Sequence, residues 1–315
     1  MSNSSAQSRW SSRVGFLMAA VGSAVGLGSI WKFPYMTGEG GGSAFVILFI
    51  ICIMLIGFPV LVVEWMIGRR GKKDPITSFT SVARENGSAS AWGILGIIGT
   101  LAAFLILSFY SVIGGWALNY VVKTGMGTFN GIDPKATEGI FNAMLANPTE
   151  LTMWHTAFMV LTAIIVAGGV SGGIEKASRF MMPLLAIIMV VIVGYNAATA
   201  EFAKGVAYLF HFDPSKVTAK VMISALGHAF FCLSLGMGIM ISYGSYLGRE
   251  VDLFSAARTV VIWDIIFSLM AGLAIFPIIF SNGLDPGGGP GLVFVTLPIA
   301  FGKMSFGLII GELFF

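Results

Sequence analysis

Apolar residues run along this chain in blocks of about 20, divided by short stretches rich in polar residues and glycine. Seven blocks, at about 14–37, 44–68, 91–122, 154–171, 178–199, 219–246 and 257–281, are each long enough to cross a hydrocarbon core about 30 Å thick as a helix. A two-part polar-and-Gly loop, 282–303, follows the seventh. Residues 304–315 open another apolar segment that is too short to cross, so the sequence stops inside a span, as a truncated chain would. The pattern predicts an all-α, polytopic membrane protein. The stretches 123–153 and 200–218 read as long, polar outer loops that act as caps rather than domains.

Two blocks spoil their own helices. The first contains "GSAVGLGSIWKFPY" (22–35), where Gly22, Gly26 and Gly28 each cost about 1 kcal/mol against Ala. The sixth contains "GHAFFCLSLGMGIMISYGSY" (227–246), with Ser234, Gly236 and Gly238 crowding its centre. Non-helical backbone at membrane depth is tolerated only where protein buries it or a wet cavity faces it. A broken helix exposes free N–H groups at one half-end, suited to a carboxylate, and free C=O groups at the other, suited to a small cation. An amino acid zwitterion and sodium are natural guests. Small residues that merely let helices pack closely are the alternative reading. Interruptions in the first and sixth spans also imply two repeats of about five spans each. The chain then divides into an N-terminal segment 1–13, a first repeat 14–199, an outer loop 200–218, and the start of a second repeat, 219–315.

Composition agrees with membrane burial: 56% of residues are apolar and 10% charged, with a mean hydropathy of +0.88. Soluble proteins average about 25% charged. Eleven of the 18 Lys and Arg residues fall on one side of the predicted topology, led by "GRRGKKD" (68–74), which places the N-terminus in the cytoplasm. Trp31, Trp65, Trp92, Trp154 and Trp263 are expected at span ends, as interface markers. Cys52 and Cys232 lie in apolar runs, which argues against a disulfide framework. No enzyme signature stands out. His155, His211 and His228 form no metal spacing, "GLGSIW" lacks the third glycine of a dinucleotide fingerprint, and no basic cluster points to nucleic acid.

The stretches "GSAVGLGSIWKFPY", "GGGSAFVILF", "GFPVLVVEWMIGRRG", "GHAFFCLSLGMGIMISYGSYL" and "AGLAIFP" together resemble the neurotransmitter:sodium symporter family, in its bacterial amino acid transporter branch. The resemblance runs from about Trp10 to Phe315. It implies an inverted-repeat transporter fold with broken first and sixth spans, truncated here in the eighth. It also implies sodium-coupled uptake of an amino acid by alternating access, in the inner (plasma) membrane. The implied substrate contacts are Ala24, Leu27, Gly28, Ile106, Tyr110, Phe231, Cys232, Ser234 and Met237. One sodium site would use Ala24, Ser29, Cys232 and Asp264; a second would use the carbonyls of Gly22 and Val25, with ligands from the eighth span. Lys32, Phe231 and Tyr110 would gate the outside, and Trp10 and Tyr246 the inside. Glu64 would either brace the broken sixth span or snorkel to the interface.

Several residues depart from the family pattern. Ser29 stands where Asn is usual, Cys232 where a hydroxyl is usual, and Lys32 where Arg is usual, with an acidic partner expected beyond Phe315. The inner-gate Arg of relatives aligns with Gln7, with Arg9 close by. Asp264, inside "VVIWDIIFSLMAGL", carries an intramembrane cost of about 2.5–3.5 kcal/mol that a bound cation would offset, unless a Lys or Arg pairs with it. A fixed carboxylate there, with Phe49 and His228 replacing chloride-site residues, implies chloride independence; Ser268 follows the chloride-dependent pattern instead. The adaptable Met237 favours a large apolar or aromatic substrate. A non-transporting amino-acid sensor, or an inactive fragment of such a transporter, is the rival reading. The sequence sets no oligomeric state.

Overall fold

The computed structural model describes residues 10–315, so Gln7 and Arg9 lie outside the described residues. Helices are α1 (Arg13–Ala24), α2 (Phe33–Glu39), α3 (Ser43–Cys52), α4 (Phe58–Gly71), α5 (Pro75–Glu85), α6 (Gly93–Gly125), α7 (Pro134–Leu145) and α8 (Pro148–Ala167). They continue as α9 (Glu175–Thr199), α10 (Phe202–Phe210), α11 (Ala219–Cys232), α12 (Ile239–Ser245), α13 (Leu253–Ser281), α14 (Leu292–Phe301) and α15 (Gly307–Phe314). No strand occurs among the described residues.

Six stretches are long and apolar enough to cross a membrane: Arg13–Glu39, Ser43–Gly71, Ser90–Gly125, Pro148–Ala167, Val170–Thr199 and Leu253–Ser281. These are six of the seven expected spans. The other, 219–246, is divided into α11 and α12, and neither half is long enough to cross alone. The first span is divided as well: α1 ends at Ala24, and the chain resumes through a π-helical turn, Gly28–Lys32, into α2.

The broken pieces are held by continuous helices. α12 lies against α4 so closely that a Cβ on Gly244 would lie 2.6 Å from the Trp65 carbonyl oxygen, and one on Gly68 would collide with the Ile241 carbonyl. At the C-terminal end of α4, Arg69 donates to the Val251 carbonyl at 2.7 Å and Lys72 to that of Leu247. At the opposite end, Trp31 Nε1 donates to Pro290 O at 2.7 Å and Ser43 Oγ to His211 O at 2.6 Å, tying the first and second spans to the stretches 282–303 and 200–218.

Three expectations need correction. The loop 282–303 contains α14, whose ten residues are largely buried against α7 and α13. Its run "LVFVTLPIAF" is fully apolar but too short to span, and it caps the bundle instead. The fourth span begins earlier than expected, because Asn147 caps α8 by accepting from the Glu150 amide at 3.2 Å. Finally, Trp65 and Trp31 are core residues, 0% and 4% exposed, rather than interface markers. The Trp65 ring meets Phe16 edge-on at 5.0 Å.

Candidate substrate and ion site

A cavity of about 660 Å³ opens where the two broken spans face each other and α6. Ala24, Leu27, Gly28, Ile106, Tyr110, Phe231, Cys232, Ser234 and Met237 all line it, together with Gly22. The helix is interrupted there: Gly236 and Gly238 both have φ of +74°, and Ser234 has +55°, a left-handed conformation rare outside glycine. The backbone polar groups freed by these turns find side-chain partners. Glu64, buried on α4, accepts from the Gly236 amide through Oε1 at 2.7 Å, so it braces the break and does not reach the interface. Ser234 Oγ donates to Ser23 O at 3.3 Å, and the two serine hydroxyls are 3.2 Å apart, joining one break to the other.

Tyr110 comes from the centre of α6, and its hydroxyl sits beside the backbone amides of Leu27 and Gly28. Its ring lies 6.1 Å from that of Phe231. Lys32 reaches down over the same Phe231 ring, with Nζ 3.7 Å from its centre, a cation–π contact. The Leu27 and Gly28 amides and the Tyr110 phenol thus meet at the cavity, with Lys32 over the Phe231 ring, while Ile106, Phe231 and Met237 give the lining an apolar side. A zwitterion with an apolar side chain matches both parts.

Behind the cavity lies a buried oxygen cluster. Ser29 Oγ is 2.6 Å from Asp264 Oδ1 and 3.1 Å from Ala24 O, and all three residues are buried. A hydroxyl carries one proton, so Ser29 cannot donate to both acceptors at once. Asp264 Oδ2 has no hydrogen-bond partner, and no Lys or Arg pairs with Asp264 among the described residues. A buried carboxylate without a counter-ion costs several kcal/mol. This surplus of oxygen acceptors around a buried charge fits a hard cation. The Cys232 sulfur lies 3.9 Å from Ser29 Oγ and 3.2 Å from His228 Nε2. Gly22 and Val25 line a second, mostly apolar cavity of about 310 Å³, shared with α9 and α15.

Around His228 the structure places Phe33, Phe45 and Phe49, with ring centres 5.9, 5.6 and 5.1 Å from the imidazole. Ser268 Oγ is buried and unpartnered. Ahead of α1, Trp10 Nε1 donates to Tyr243 O at 3.1 Å and their rings meet at 5.3 Å. Tyr246, expected to gate the inside together with Trp10, makes no ring contact with it, whereas Tyr243, one turn earlier on α12, does. Sequence reasoning also missed Ser23, Phe158 and Thr162 in the cavity wall. Ser23 sits inside the quoted break and was legible as a polar residue there. Phe158 and Thr162 lie on an ordinary apolar helix and carried no signal.

The sodium:neurotransmitter symporter family model matches residues 7–129 and 140–315. The chain belongs to that family. A sodium-dependent transporter of unassigned substrate from Bacillus subtilis, YhdH, is 42% identical over 299 residues, covering 95% of this chain. The chain spans 65% of that relative's length. A sodium-dependent transporter from Haemophilus influenzae is 36% identical over 319 residues, which cover 99% of this chain and 70% of the relative. Among solved structures, the crystal structure of MhsT in complex with L-phenylalanine superposes with a TM-score of 0.92 at 43% identity, covering 98% of this chain and 69% of the other. As a symporter-family member with several bilayer-length apolar helices, the protein is a multi-pass membrane protein, and its relatives are transporters rather than enzymes.

Proposed function

We propose that this chain carries the substrate and ion site of a sodium-coupled amino acid symporter that works by alternating access. The observation that carries the reading is the oxygen cluster of Ala24, Ser29 and Asp264 at the break of the first span, set against a cavity lined by the break of the sixth. The substrate carboxylate would meet the amides at Leu27 and Gly28 and the Tyr110 hydroxyl. Its amino group would meet carbonyls near Ala24, Phe231 and Cys232, with Ser234 alongside. One sodium ion, as co-substrate, would take the Ala24 carbonyl, Ser29 and Asp264, with the Cys232 thiol a poor ligand for so hard an ion. Gly22 and Val25 would offer carbonyls to a second.

The apolar wall favours a large apolar or aromatic substrate, a reading strengthened by the likeness to a structure holding L-phenylalanine. The Asp264 charge, and Phe49 and His228 standing in place of chloride-site residues, favour chloride independence, with Ser268 the exception. Lys32, Phe231 and Tyr110 would close the outer side, and Trp10 with Tyr243, rather than Tyr246, the inner side. The two-repeat division at 14–199 and 219–315, a cytoplasmic N-terminus and placement in the inner (plasma) membrane complete the proposal.

The test is binding of labelled L-phenylalanine to the purified chain against sodium concentration, followed by uptake into proteoliposomes. Saturable binding that needs sodium and not chloride is expected, with uptake driven by a sodium gradient. Binding without uptake would favour the sensor reading. Binding indifferent to sodium would overturn the symporter.

A further inference from the structure

Glu175 opens α9 with a carboxylate that the substrate and ion site does not use, and it is 1% exposed. Its two oxygens take both donors of one residue: Oε2 accepts from the Ser11 amide at 2.9 Å, and Oε1 accepts from the Ser11 hydroxyl. No Lys or Arg pairs with Glu175 among the described residues. Arg179, one turn on, donates instead to Ser12 Oγ at 3.3 Å, and Arg13 to Ser255 Oγ at 3.2 Å. The positive end of α9 and the two Ser11 donors therefore stabilise the charge. Room for it comes from α1, where a Cβ on Gly15 would collide with the Glu175 carboxylate.

Three consecutive residues thus fasten the start of α1 to three helices. Trp10 donates to Tyr243 O on α12, Ser11 donates to Glu175 on α9, and Ser12 caps α1 itself by accepting from the Gly15 amide at 2.9 Å. From there α1 runs 12 residues, about 18 Å of helix, to Ala24, whose carbonyl belongs to the oxygen cluster. A shift at Ser11 is carried along that strut to the ion site.

We propose that Glu175 is a positioning residue for alternating access: it latches the first span to the fifth beside the Trp10–Tyr243 contact, and it must release Ser11 for that side to open. The proposal rests on the symporter reading. The oxygen cluster is assembled in the latched structure, so the latched state is the one that binds sodium and substrate. A carboxylate suits the task because its bonds to Ser11 are charge-assisted while formed, and water replaces them once the segment lifts away. Weakening the latch lowers the fraction of chains competent to bind, and apparent affinity falls by that fraction. Damage to folding alone lowers the number of binding sites instead.

The test titrates labelled L-phenylalanine onto the detergent-purified chain at fixed sodium, reading affinity and number of sites separately. Glu175→Ala should weaken the affinity by about tenfold with the number of sites unchanged. Glu175→Gln still accepts from both Ser11 donors and should recover much of that loss. Unchanged affinity in Glu175→Ala, or a loss of sites without a loss of affinity, would overturn the latch. Should Glu175→Ala misfold, Gly15→Ala decides, because it pushes the carboxylate off Ser11 without removing it: weaker affinity upholds the proposal and unchanged affinity overturns it. Phenylalanine binding that is absent, or indifferent to sodium, would overturn the symporter reading rather than the latch. Hydrogen exchange then reads the latch by itself. The amides of Arg13–Ala24 should exchange about tenfold faster in Glu175→Ala while those of α13 keep their rate, and equal exchange along α1 would overturn the proposal.

Discussion

The first and sixth spans break, while the third and seventh do not, and glycine content does not explain the difference. α6 runs unbroken for 33 residues although it contains Gly96, Gly99, Gly114 and Gly115, and α13 runs 29 residues through Pro277. In α6 the glycines serve close packing: a Cβ at Gly99 would lie 2.9 Å from Gly236 O, and one at Gly115 would lie 2.8 Å from His155 N. In the broken spans, glycine coincides with polar groups that take over the freed backbone bonds. Ser29 serves the Ala24 carbonyl, Ser234 that of Ser23, and Glu64 the Gly236 amide. Glycine makes a break affordable, but a partner for the released N–H or C=O makes it stable, because an unpaired backbone group at membrane depth costs several kcal/mol. The unbroken helices then act as the frame, presenting Tyr110 and Asp264 to the gaps.

The contrast can be broken experimentally. The largest effect is expected from Asp264→Ala, which should weaken sodium-dependent phenylalanine binding by about 100-fold or more, equivalent to about 3 kcal/mol. Unchanged sodium activation in a binding titration would remove Asp264 from the ion site. Next comes Glu64→Ala, which strips the Gly236 amide of its acceptor and should lower stability by about 1–3 kcal/mol. Glu64→Gln keeps an acceptor and should recover much of that loss, both read as melting midpoints in one detergent. Equal melting of the two variants would show that the charge, not the hydrogen bond, matters.

Two alanine substitutions should then move in opposite directions. Gly236→Ala meets open space but sits at φ +74°, so backbone strain of about 1–2 kcal/mol should lower the melting point. Gly194→Ala, within α9 and also facing open space, should raise it by the equivalent of up to about 1 kcal/mol. Matching shifts would mean the break is not strained. Ser234→Ala should cost about 0.5–1.5 kcal/mol, less than Glu64→Ala, because it removes one bridge between the two breaks and leaves the carboxylate brace in place.

Much of this was legible in the chain itself. A run of apolar residues long enough to cross a bilayer has few other fates, so the continuous spans could be read from the pattern, although the fourth begins well before its expected start because of the Asn147 cap. The breaks were legible because helix-poor residues at membrane depth conflict with the requirement that backbone groups be paired. Asp264 stood out for the same reason: a charge there demands a partner. Helix α14 was hidden because its ten apolar residues, too short to span, are flanked by the glycines and prolines of a loop. Trp65 was misplaced because an indole near a charged span end reads as an interface anchor, and only packing against Phe16 shows it as core.

The sequence by itself determined which segments enter the membrane and where two of them must give way, since both follow from local solvation of the backbone. Tertiary structure alone decided what those gaps hold. It set Ser29 against Asp264 across 235 positions of the chain, turned Glu64 onto Gly236, and chose Tyr243 over Tyr246 to meet Trp10. Such contacts depend on how helices rotate and cross, and an apolar pattern leaves that rotation undetermined when nearly every face of a helix is apolar.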